Sequence, residues 1–447
     1  MKIRGLIVAA VVFLILSGIL YWSEHRKPAE DTAKISADTP PVILKLDELA
    51  ITKLNLKRKD VEPLVLAKGD SGKWQITEPK LLGADQSTVS GIVSTLASLN
   101  SERLVEDKAA ELKQYGLDQP GLELDITEKN NKMQKLLIGD DTPASGAVYA
   151  MLAGDSRVFT MSKYMKTSVD KSLNDVRDKR LLTVNTEKIS RIELINKSKN
   201  QEIEFGRNKD EWQIVKPKPL RADSVQVGEL SRKLTDAKID LSGSDSKDDA
   251  PAFVRAIPIA TVRVTDESGT QELQVRKSQV GKDKDKYYAK SSAVDGAYKI
   301  DSDSGKAVDK SLDDFRNKKL FDFGDNEPNK IELHDGSKTY FLTRNGEDWW
   351  SGNGKKMDAG SVQSLISKLR DLNADKFLES GFAQPAIEAS VISDDGKRME
   401  KVLLAKSSGG YVARRENESA LYQLSSSSVA DLQKAAEQIK AAAAPGK

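Results

Sequence analysis

The side chains that most often catalyse reactions are scarce and widely spaced in this chain of 447 residues. It has no cysteine, which excludes disulfides, thiolate metal sites and a cysteine nucleophile. Its two histidines, His25 and His334, lack companions at the spacing of zinc ligands. A serine–histidine–aspartate triad would depend on His334, and no Gly-x-Ser-x-Gly nucleophile elbow occurs in the chain. We therefore predict no catalytic residues, no metal and no cofactor.

Two loops resemble ion- or phosphate-binding motifs without completing them. Gly352–Lys356 has glycines and lysines, but the first glycine of a phosphate loop and the Ser or Thr after the lysine are missing. Asp301–Gly305 resembles the start of a calcium loop, but its glycine comes one place early and the final glutamate is missing. We interpret the first as a turn and the second as a loop before a helix, with weak calcium binding as the alternative.

Tryptophans at regular intervals could instead provide a series of sugar-stacking platforms. Trp74, Trp212 and Trp350 each stand on a short predicted strand, next to apolar residues. That regular placement favours packing in a hydrophobic core, where a large aromatic side chain buries much apolar area. We predict that all three are core residues and keep saccharide stacking as the alternative.

The same tryptophans mark a repeated unit. The interval from the first to the second equals the interval from the second to the third, and each is followed by an aspartate and then by a helical pattern. An aspartate in that place can cap the helix, because its carboxylate accepts hydrogen bonds from the free amides of the first turn. The repeat markers are Trp74, Trp212 and Trp350 on the strands and Asp85, Asp223 and Asp358 before the helices.

The helices and strands predicted around these markers define the fold class. Apolar residues form one helical stripe from Val89 to Leu99, and the same spacing returns from Val362 to Leu372. Short apolar runs separated by turn residues predict antiparallel strands around each tryptophan. We expect an α+β fold in which three tandem modules each pack helices on an antiparallel sheet.

A second landmark repeats with nearly the same period. Asp170–Arg180 returns as Asp309–Lys319, and each copy ends in a basic cluster. A helix end whose cations complement the helix dipole would explain the pattern, and a repeated surface for a partner is the alternative. The candidate partner surface consists of Arg177, Lys179, Arg180, Arg316, Lys318 and Lys319.

The N-terminal segment predicts a location. Residues Leu6 to Trp22 are apolar or small, and a helix of that length spans about 26–30 Å, close to a bilayer core. We predict an uncleaved anchor over residues 1–22, with a cleaved signal peptide as the alternative. Basic residues flank the span on both sides, so the preference for the body outside the cytoplasm rests on the short N-terminal tail.

The rest of the chain divides at changes of composition. We predict a tether over residues 23–41, a first module over 42–184, a second over 185–325 and a third over 326–447. The chain carries 70 basic and 68 acidic residues, intermixed along its length, for a net charge of +2. This balance argues against nucleic-acid binding, which normally requires a one-sided basic surface.

Three passages of the sequence resemble a known family. They are Trp74–Asp85, Gly116–Pro120 with its Gly-Leu-Asp-x-Pro pattern, and Asp175–Lys179 with its Asp-x-Arg-x-Lys pattern. Together with the N-terminal anchor they resemble the bacterial family known as domain of unknown function 4340. The resemblance implies an envelope protein encoded beside the permease and ATPase of an ABC-type transport system of the gliding-motility type. It implies no reaction and no catalytic residues.

We therefore expect a non-enzymatic accessory or interaction protein, anchored in the bacterial inner membrane with its body in the periplasm or on the outer face. The permease and ATPase of an ABC-type system are the partners that the resemblance implies. A tethered module that binds cell-wall glycan or another envelope polymer is the alternative, and an exposed row of aromatic side chains would favour it. A hydrolase is a third hypothesis, which would require carboxylates converging in a cleft with perturbed pKa values.

Overall fold

The computed structural model describes residues 42–443, except residues 145, 210, 242–248 and 325–326. The predicted anchor over residues 1–22 and the tether over residues 23–41 lie outside the described residues. Among the helices in the described part of the chain, none combines the length and the apolar character needed to cross a bilayer. The described strands form three sheets, and we use the word module for each sheet with its helices.

The first module contains a nine-stranded sheet. Its strands are β1 (Ile51–Arg58), β2 (Val61–Lys68), β3 (Trp74–Glu78), β4 (Leu82–Gly83), β5 (Arg103–Glu106), β6 (Leu122–Glu128), β7 (Met133–Asp141), β8 (Ala147–Leu152) and β9 (Val158–Ser162). Their order is β4-β3-β2-β1-β6-β7-β8-β9-β5, with antiparallel neighbours throughout. Its helices are α1 (Gln86–Ala97), α2 (Lys163–Val169) and α3 (Leu173–Val176).

The second module has an eight-stranded sheet of the same plan. Its strands are β10 (Arg191–Asn196), β11 (Gln201–Asn208), β12 (Glu211–Lys216), β13 (Leu220–Arg221), β14 (Ile257–Asp266), β15 (Gly269–Lys277), β16 (Tyr287–Ser291) and β17 (Ala297–Ile300). They are antiparallel in the order β13-β12-β11-β10-β14-β15-β16-β17. Its helices are α4 (Ser224–Asp236), α5 (Ala250–Arg255), α6 (Ser302–Ala307) and α7 (Leu312–Phe315).

The third module repeats the plan again with eight strands. They are β18 (Lys330–Asp335), β19 (Lys338–Asn345), β20 (Asp348–Ser351), β21 (Lys376–Leu378), β22 (Ile387–Ser393), β23 (Arg398–Ser407), β24 (Gly410–Arg415) and β25 (Leu421–Leu424). Their order is β20-β19-β18-β22-β23-β24-β25-β21, antiparallel throughout. Its helices are α8 (Ala359–Arg370) and α9 (Ser426–Glu437).

Each sheet buries one face against its own helices, as the periodicity predicts. The apolar stripe of α1 from Val89 to Leu96 lies in one hydrophobic cluster with the inward residues of the first sheet. The matching stripe of α8 from Val362 to Leu369 does the same in the third module. The three sheets with packed helices therefore confirm the predicted arrangement of antiparallel sheet and helix in the described residues.

The described part of the chain forms two compact units, which divide between Asp178 and Lys179. The first unit contains the first sheet, and the second unit contains the second and third sheets together. Within the second unit the core of the second module begins at Leu181 and that of the third at Leu320. Both cores begin a little before the boundaries predicted at 185 and 326, because the apolar residues just before those boundaries pack in the core that follows them.

One repeat marker differs from the prediction. Trp74 and Trp212 are buried, but Trp350 is 36% exposed, and the buried tryptophan of the third module is Trp349. Strand pairing gives the reason, since Trp349 lies opposite Arg344 as Trp212 lies opposite Arg207. The interval from Trp212 to Trp349 is one residue shorter than the interval from Trp74 to Trp212, so a constant repeat interval selects the wrong tryptophan.

Two helices also differ from the prediction from the sequence pattern, which is one helix around residues 164–173 and a last helix from residue 429 toward residue 444. The helix expected around residues 164–173 is two short helices, α2 and α3, and Ser172 starts the second through a capping box with Asp175. The last helix, expected to run toward residue 444, ends at Glu437 within the described residues. Helix α5 was not predicted, because it is short and follows a polar, acidic stretch of sequence.

Candidate functional site

Each predicted capping aspartate lies between a tryptophan strand and the helix that follows it. Asp85 accepts a hydrogen bond from the amide of Thr88 at 2.8 Å, and Asp358 accepts one from Ser361 at 2.8 Å. Asp223 accepts hydrogen bonds from two amides of the first turn of α4. The structure therefore confirms all three aspartates as helix caps.

The backbone of each cap is bound by the segment that leaves the module. The amide of Asp85 donates to the carbonyl of Val176 at 2.8 Å, and that of Asp223 donates to the carbonyl of Phe315 at 2.8 Å. In the third module Asp358 donates to Lys440 at 2.9 Å, so the C-terminal segment takes the same place. We call residues 177–180 and 316–319 the first and second linkers, because each joins the core of one module to that of the next.

The acidic residue that begins each repeated segment is fixed by a cation from a hairpin of its own module. Arg58 Nε donates to Asp170 at 2.6 Å, and Lys199 Nζ lies 2.8 Å from Asp309. Burial alone would raise the pKa of Asp309, but Lys199 and the hydroxyl of Ser198 outweigh it and hold that pKa below its ordinary value. Asp170 and Asp309 therefore stabilise the fold of their own modules.

Only some residues of the candidate partner surface are exposed to solvent. Arg177 and Arg316 are buried, with exposures of 5% and 8%, which corrects the expectation that the segments are exposed throughout. Lys179 is half-buried, whereas Arg180, Lys318 and Lys319 are exposed. The linker backbone also pairs with the segment that follows helix α8, since the carbonyl of Lys318 accepts from the amide of Ala374 at 2.9 Å.

Within the second unit, the second linker forms part of the wall of a cleft of about 420 Å³. The side chain of Arg316 lies flat on the ring of Phe377, with its guanidinium carbon 3.5 Å from the ring centre. Its Nη1 donates to the carboxylate of Asp313 at 3.0 Å. The other residues of the wall are Gln213, Ile214, Pro219, Leu220, Arg221, Asn317, Asn417, Glu418, Ser419, Ala420 and Tyr422.

Arg221 is the second cation of this cleft and sits among groups from the third module. Its Nη2 donates to the carbonyl of Lys319 at 2.6 Å and to the hydroxyl of Tyr422 at 3.2 Å. Its Nε lies 3.0 Å from Glu418, and Nη1 lies 3.5 Å from Asp322. Burial opposes the charge of Arg221, but Tyr422, Glu418 and Asp322 outweigh it and raise its pKa.

Glu418 continues the charged network behind the cleft. Its carboxylate also lies 2.8 Å from Arg415 Nε, and Arg415 Nη2 donates to Glu400 at 2.9 Å. Glu400 in turn accepts from the backbone amide of Asp322 at 3.0 Å. Tyr422 donates its hydroxyl proton to Glu418 at 2.9 Å, and burial raises the pKa of this tyrosine. Each carboxylate of this network therefore has a cation or a hydrogen-bond donor.

A second cleft of about 600 Å³ lies next to the first and shares Gln213, Arg221 and Asn317 with it. Its wall includes Trp212 and the first turn of α4, whose amides are already bound by Asp223. Among the described residues, the structure brings together no three His, Cys, Asp or Glu side chains that could hold a metal ion. The two clefts offer charge and hydrogen bonds to a ligand.

The sequence did not reveal this cleft. Arg221 stands at the place of Gly83 in the first module and Lys356 in the third, so repeat alignment treats it as an ordinary variable position. Phe377 lies far along the chain from Arg316, and no local pattern connects the two. One signal was available in the sequence. Arg221 is a charged residue shortly before the capping Asp223, on a strand that other parts of the protein are expected to cover.

The fold and the cleft define a class: a chain of tandem sheet-and-helix modules with a polar, ligand-sized cleft between the last two. Comparison with family models identifies the family. The model described as Domain of unknown function (DUF4340) matches residues 74–213 and 212–390. The two segments together cover more than two thirds of the chain, which therefore belongs to this family.

Each matched segment begins at a tryptophan strand and continues through a linker into the following module. The family unit is thus offset from the structural module, which begins at the linker and ends before the next one. Comparison with curated proteins and with solved structures gave no match.

Proposed function

We propose that the chain is a non-enzymatic interaction protein of the bacterial envelope, held in the inner membrane by residues 1–22 with its body in the periplasm or on the outer face. Its partners would be the permease and ATPase of an ABC-type transport system of the gliding-motility type, to which it would serve as an accessory subunit. Membership of the family and the apolar N-terminal stretch support this proposal.

One structural observation carries the interaction role. The residues that repeat between modules hold the modules in shape: the aspartates cap helices, and Asp170 and Asp309 are fixed by cations. The need to fold therefore explains why these residues repeat. The residues of the outer surfaces and of the cleft are left free to differ between modules. A protein whose common features maintain a scaffold and whose variable features face outward is suited to binding partners.

Crosslinking followed by co-purification tests this proposal. The tagged full-length protein is extracted in mild detergent after brief crosslinking in its native cells, and its partners are identified by mass spectrometry. We expect the permease and the ATPase, with recovery lost when residues 1–41 are replaced by an unrelated membrane helix and tether. Recovery of no transport component would overturn the proposal.

The exposed lysines of the second linker sharpen the same experiment. Lys318→Glu with Lys319→Glu should lower recovery of the partners if the predicted partner surface is used. Lys188→Glu with Lys197→Glu is the matched control, because both lysines are exposed in the second module and the charge change is identical. Equal recovery with both double variants would remove the second linker from the interface and leave the remaining surfaces as candidates.

A second function, binding of an envelope polysaccharide, is favoured by one observation. Trp350 and Phe341 are both 36% exposed, and they lie on the outer face of the third sheet, where Trp350 pairs with Thr343. Neighbouring aromatic rings on an open face can stack on sugars. Pelleting of the protein with purified peptidoglycan, lost on Trp350→Ala, would support this function, and pelleting unchanged by that substitution would count against it.

A further inference from the structure

Arg316 has more donors than the protein uses. A guanidinium carries five N–H donors, and in the described part of the chain the single hydrogen bond of this group goes to Asp313. The side chain is nevertheless 8% exposed and is held rigidly by its stacking on Phe377. An arginine that is buried, fixed in orientation and incompletely bonded on the wall of a cleft is arranged to receive a planar anion.

The charges of the cleft wall agree with this. The wall carries the two guanidinium groups of Arg221 and Arg316 against the single carboxylate of Glu418. That carboxylate is already neutralised from two sides, by Arg221 at 3.0 Å and by Arg415 at 2.8 Å. Arg221 donates from Nη2 to the carbonyl of Lys319 and to Tyr422, and its charge contributes positive potential to the cleft. Arg316 retains donors for a ligand.

The remaining wall indicates what surrounds the anion. Pro219, Leu220 and Phe377 supply apolar contact, and the side chains of Gln213, Asn417 and Ser419 supply neutral hydrogen-bonding groups. A volume of about 420 Å³ lies within the range of small-molecule sites, which runs from about 300 to 1,000 Å³. The cleft therefore suits a carboxylate attached to a small apolar group better than a bare inorganic ion.

We propose that this cleft binds a carboxylate-bearing ligand, with Arg316 as its direct contact and Arg221 as the supporting cation. The carboxylate belongs either to a free small acid or peptide terminus, or to an acidic side chain within a peptide. This binding is independent of the membrane partners proposed above and is tested without them.

Titration of the full-length protein in detergent with three probes tests the proposal. The probes are N-acetylphenylalanine, its neutral amide, and the blocked peptide acetyl-Ala-Asp-Phe-amide, followed by ligand-observed NMR and calorimetry. We expect at least one carboxylate probe to bind about tenfold or more tightly than the neutral amide, because a charge-assisted pair is lost in the amide. Preference for the first probe indicates a free acid or terminus, and preference for the peptide indicates a side chain.

Variants tie the binding to the cleft. Arg316→Lys keeps the charge but loses the planar set of donors, and it should weaken binding about tenfold. Arg177→Lys is the matched control, because Arg177 is the buried arginine of the first linker and its substitution should leave affinity unchanged. Ser419→Phe, at an exposed loop position of the wall, should block binding without a change in melting temperature.

The result that would overturn the proposal is equal affinity for the acid and the amide, or saturable binding of none of the probes. Equal effects of Arg316→Lys and Arg177→Lys, in variants that melt like the wild type, would overturn it as well. If Arg316→Lys fails to fold, Ser419→Phe decides: binding that survives it lies outside this cleft. None of these results bears on recovery of membrane partners, so the two proposals fail separately.

Discussion

The second and third modules hold their incoming segments at the same backbone positions but with different chemistry. In the second module the amide of Thr183 donates to Gln271 at 2.9 Å. The hydroxyl of Ser291 donates to the carbonyl of Leu181. Both side chains that hold these two backbone groups are neutral.

In the third module the corresponding side chains are charged. The amide of Asp322 donates to Glu400 at 3.0 Å, and Arg415 Nη1 donates to the carbonyl of Leu320 at 2.7 Å. Strand register makes the two sets equivalent: Ser291 lies opposite the inward Leu273, as Arg415 lies opposite Val402.

The fold therefore determines which backbone groups need hydrogen-bond partners, but it does not determine whether those partners are charged. A buried ion pair loses hydration and often adds little net stability over a neutral set, but removal of one member leaves an uncompensated charge. The charged set of the third module has a further consequence, since Arg415 holds Glu418 and so shapes the cleft.

The buried tryptophan is shared by both modules. Trp349→Ala should lower the free energy of unfolding by about 3–5 kcal/mol, because it leaves a large cavity in the core. Trp212→Ala should do the same in the second module, where that residue is 9% exposed. Trp350→Ala should cost less than about 1 kcal/mol, as surface substitutions usually do. Urea unfolding followed by fluorescence and circular dichroism measures all three, and a larger loss for Trp350→Ala would contradict the corrected register.

The charged set should respond asymmetrically to substitution. Arg415→Ser, which introduces the residue of the second module, should destabilise the third module by about 3 kcal/mol, because Glu400 is left buried without its main cation. The double variant Glu400→Gln with Arg415→Ser imitates the neutral set and should regain much of that loss. Urea unfolding measures both variants. A double variant as unstable as the sum of its single changes would show that the two residues act independently.

The helix caps should contribute equally in both modules. Asp223→Ala and Asp358→Ala should each cost about 1 kcal/mol, the usual effect of losing a cap. Asparagine at either position is the control, since its side-chain oxygen also accepts from the first turn. Thermal melts of the four variants provide the measurement. A loss of stability confined to one module would contradict the prediction that the caps contribute equally in both.

Acid should weaken the second module through Asp309. The folded-state pKa of this residue is lowered, so its stabilising contribution is present above the unfolded value of 3.8 and is lost as the pH falls through the lower folded value. Asp309→Asn should therefore flatten the fall in melting temperature as the pH drops below about 4. Asp431→Asn is the control for an exposed ion pair of the third module and should change that slope little.

Local patterns predicted the frame of the molecule well. The stripe from Val89 to Leu96 predicted α1 and its buried face, and Asp85 predicted where it begins, because both depend on residues within a few turns. The tryptophan of the third module was misassigned because the interval from Trp212 to Trp349 is one residue shorter than the repeat interval that the prediction used. A better signal for the third module was the arginine five residues before the tryptophan, since Arg344 precedes Trp349 as Arg207 precedes Trp212.

The cleft could not be predicted in the same way. Basic residues near a helix end are normally solvated, so the sequence favoured exposure for Arg316, whose burial depends on the distant aromatic ring of Phe377. The pairing of Glu400 with Arg415 likewise depends on strand register. Contacts of this kind join elements that a single sequence treats separately.

The most direct test of the account is a pair of double-mutant cycles, one in each module. For Glu400→Gln and Arg415→Ser we predict a coupling free energy of at least about 1.5 kcal/mol, the size expected for contacting charges. For Gln271→Ala and Ser291→Ala, which hold different backbone groups, we predict a coupling within about 0.5 kcal/mol of zero. Equal coupling free energies in the two cycles would contradict the central claim. That claim is that both modules hold the same backbone groups but differ in whether the side chains that hold them are charged.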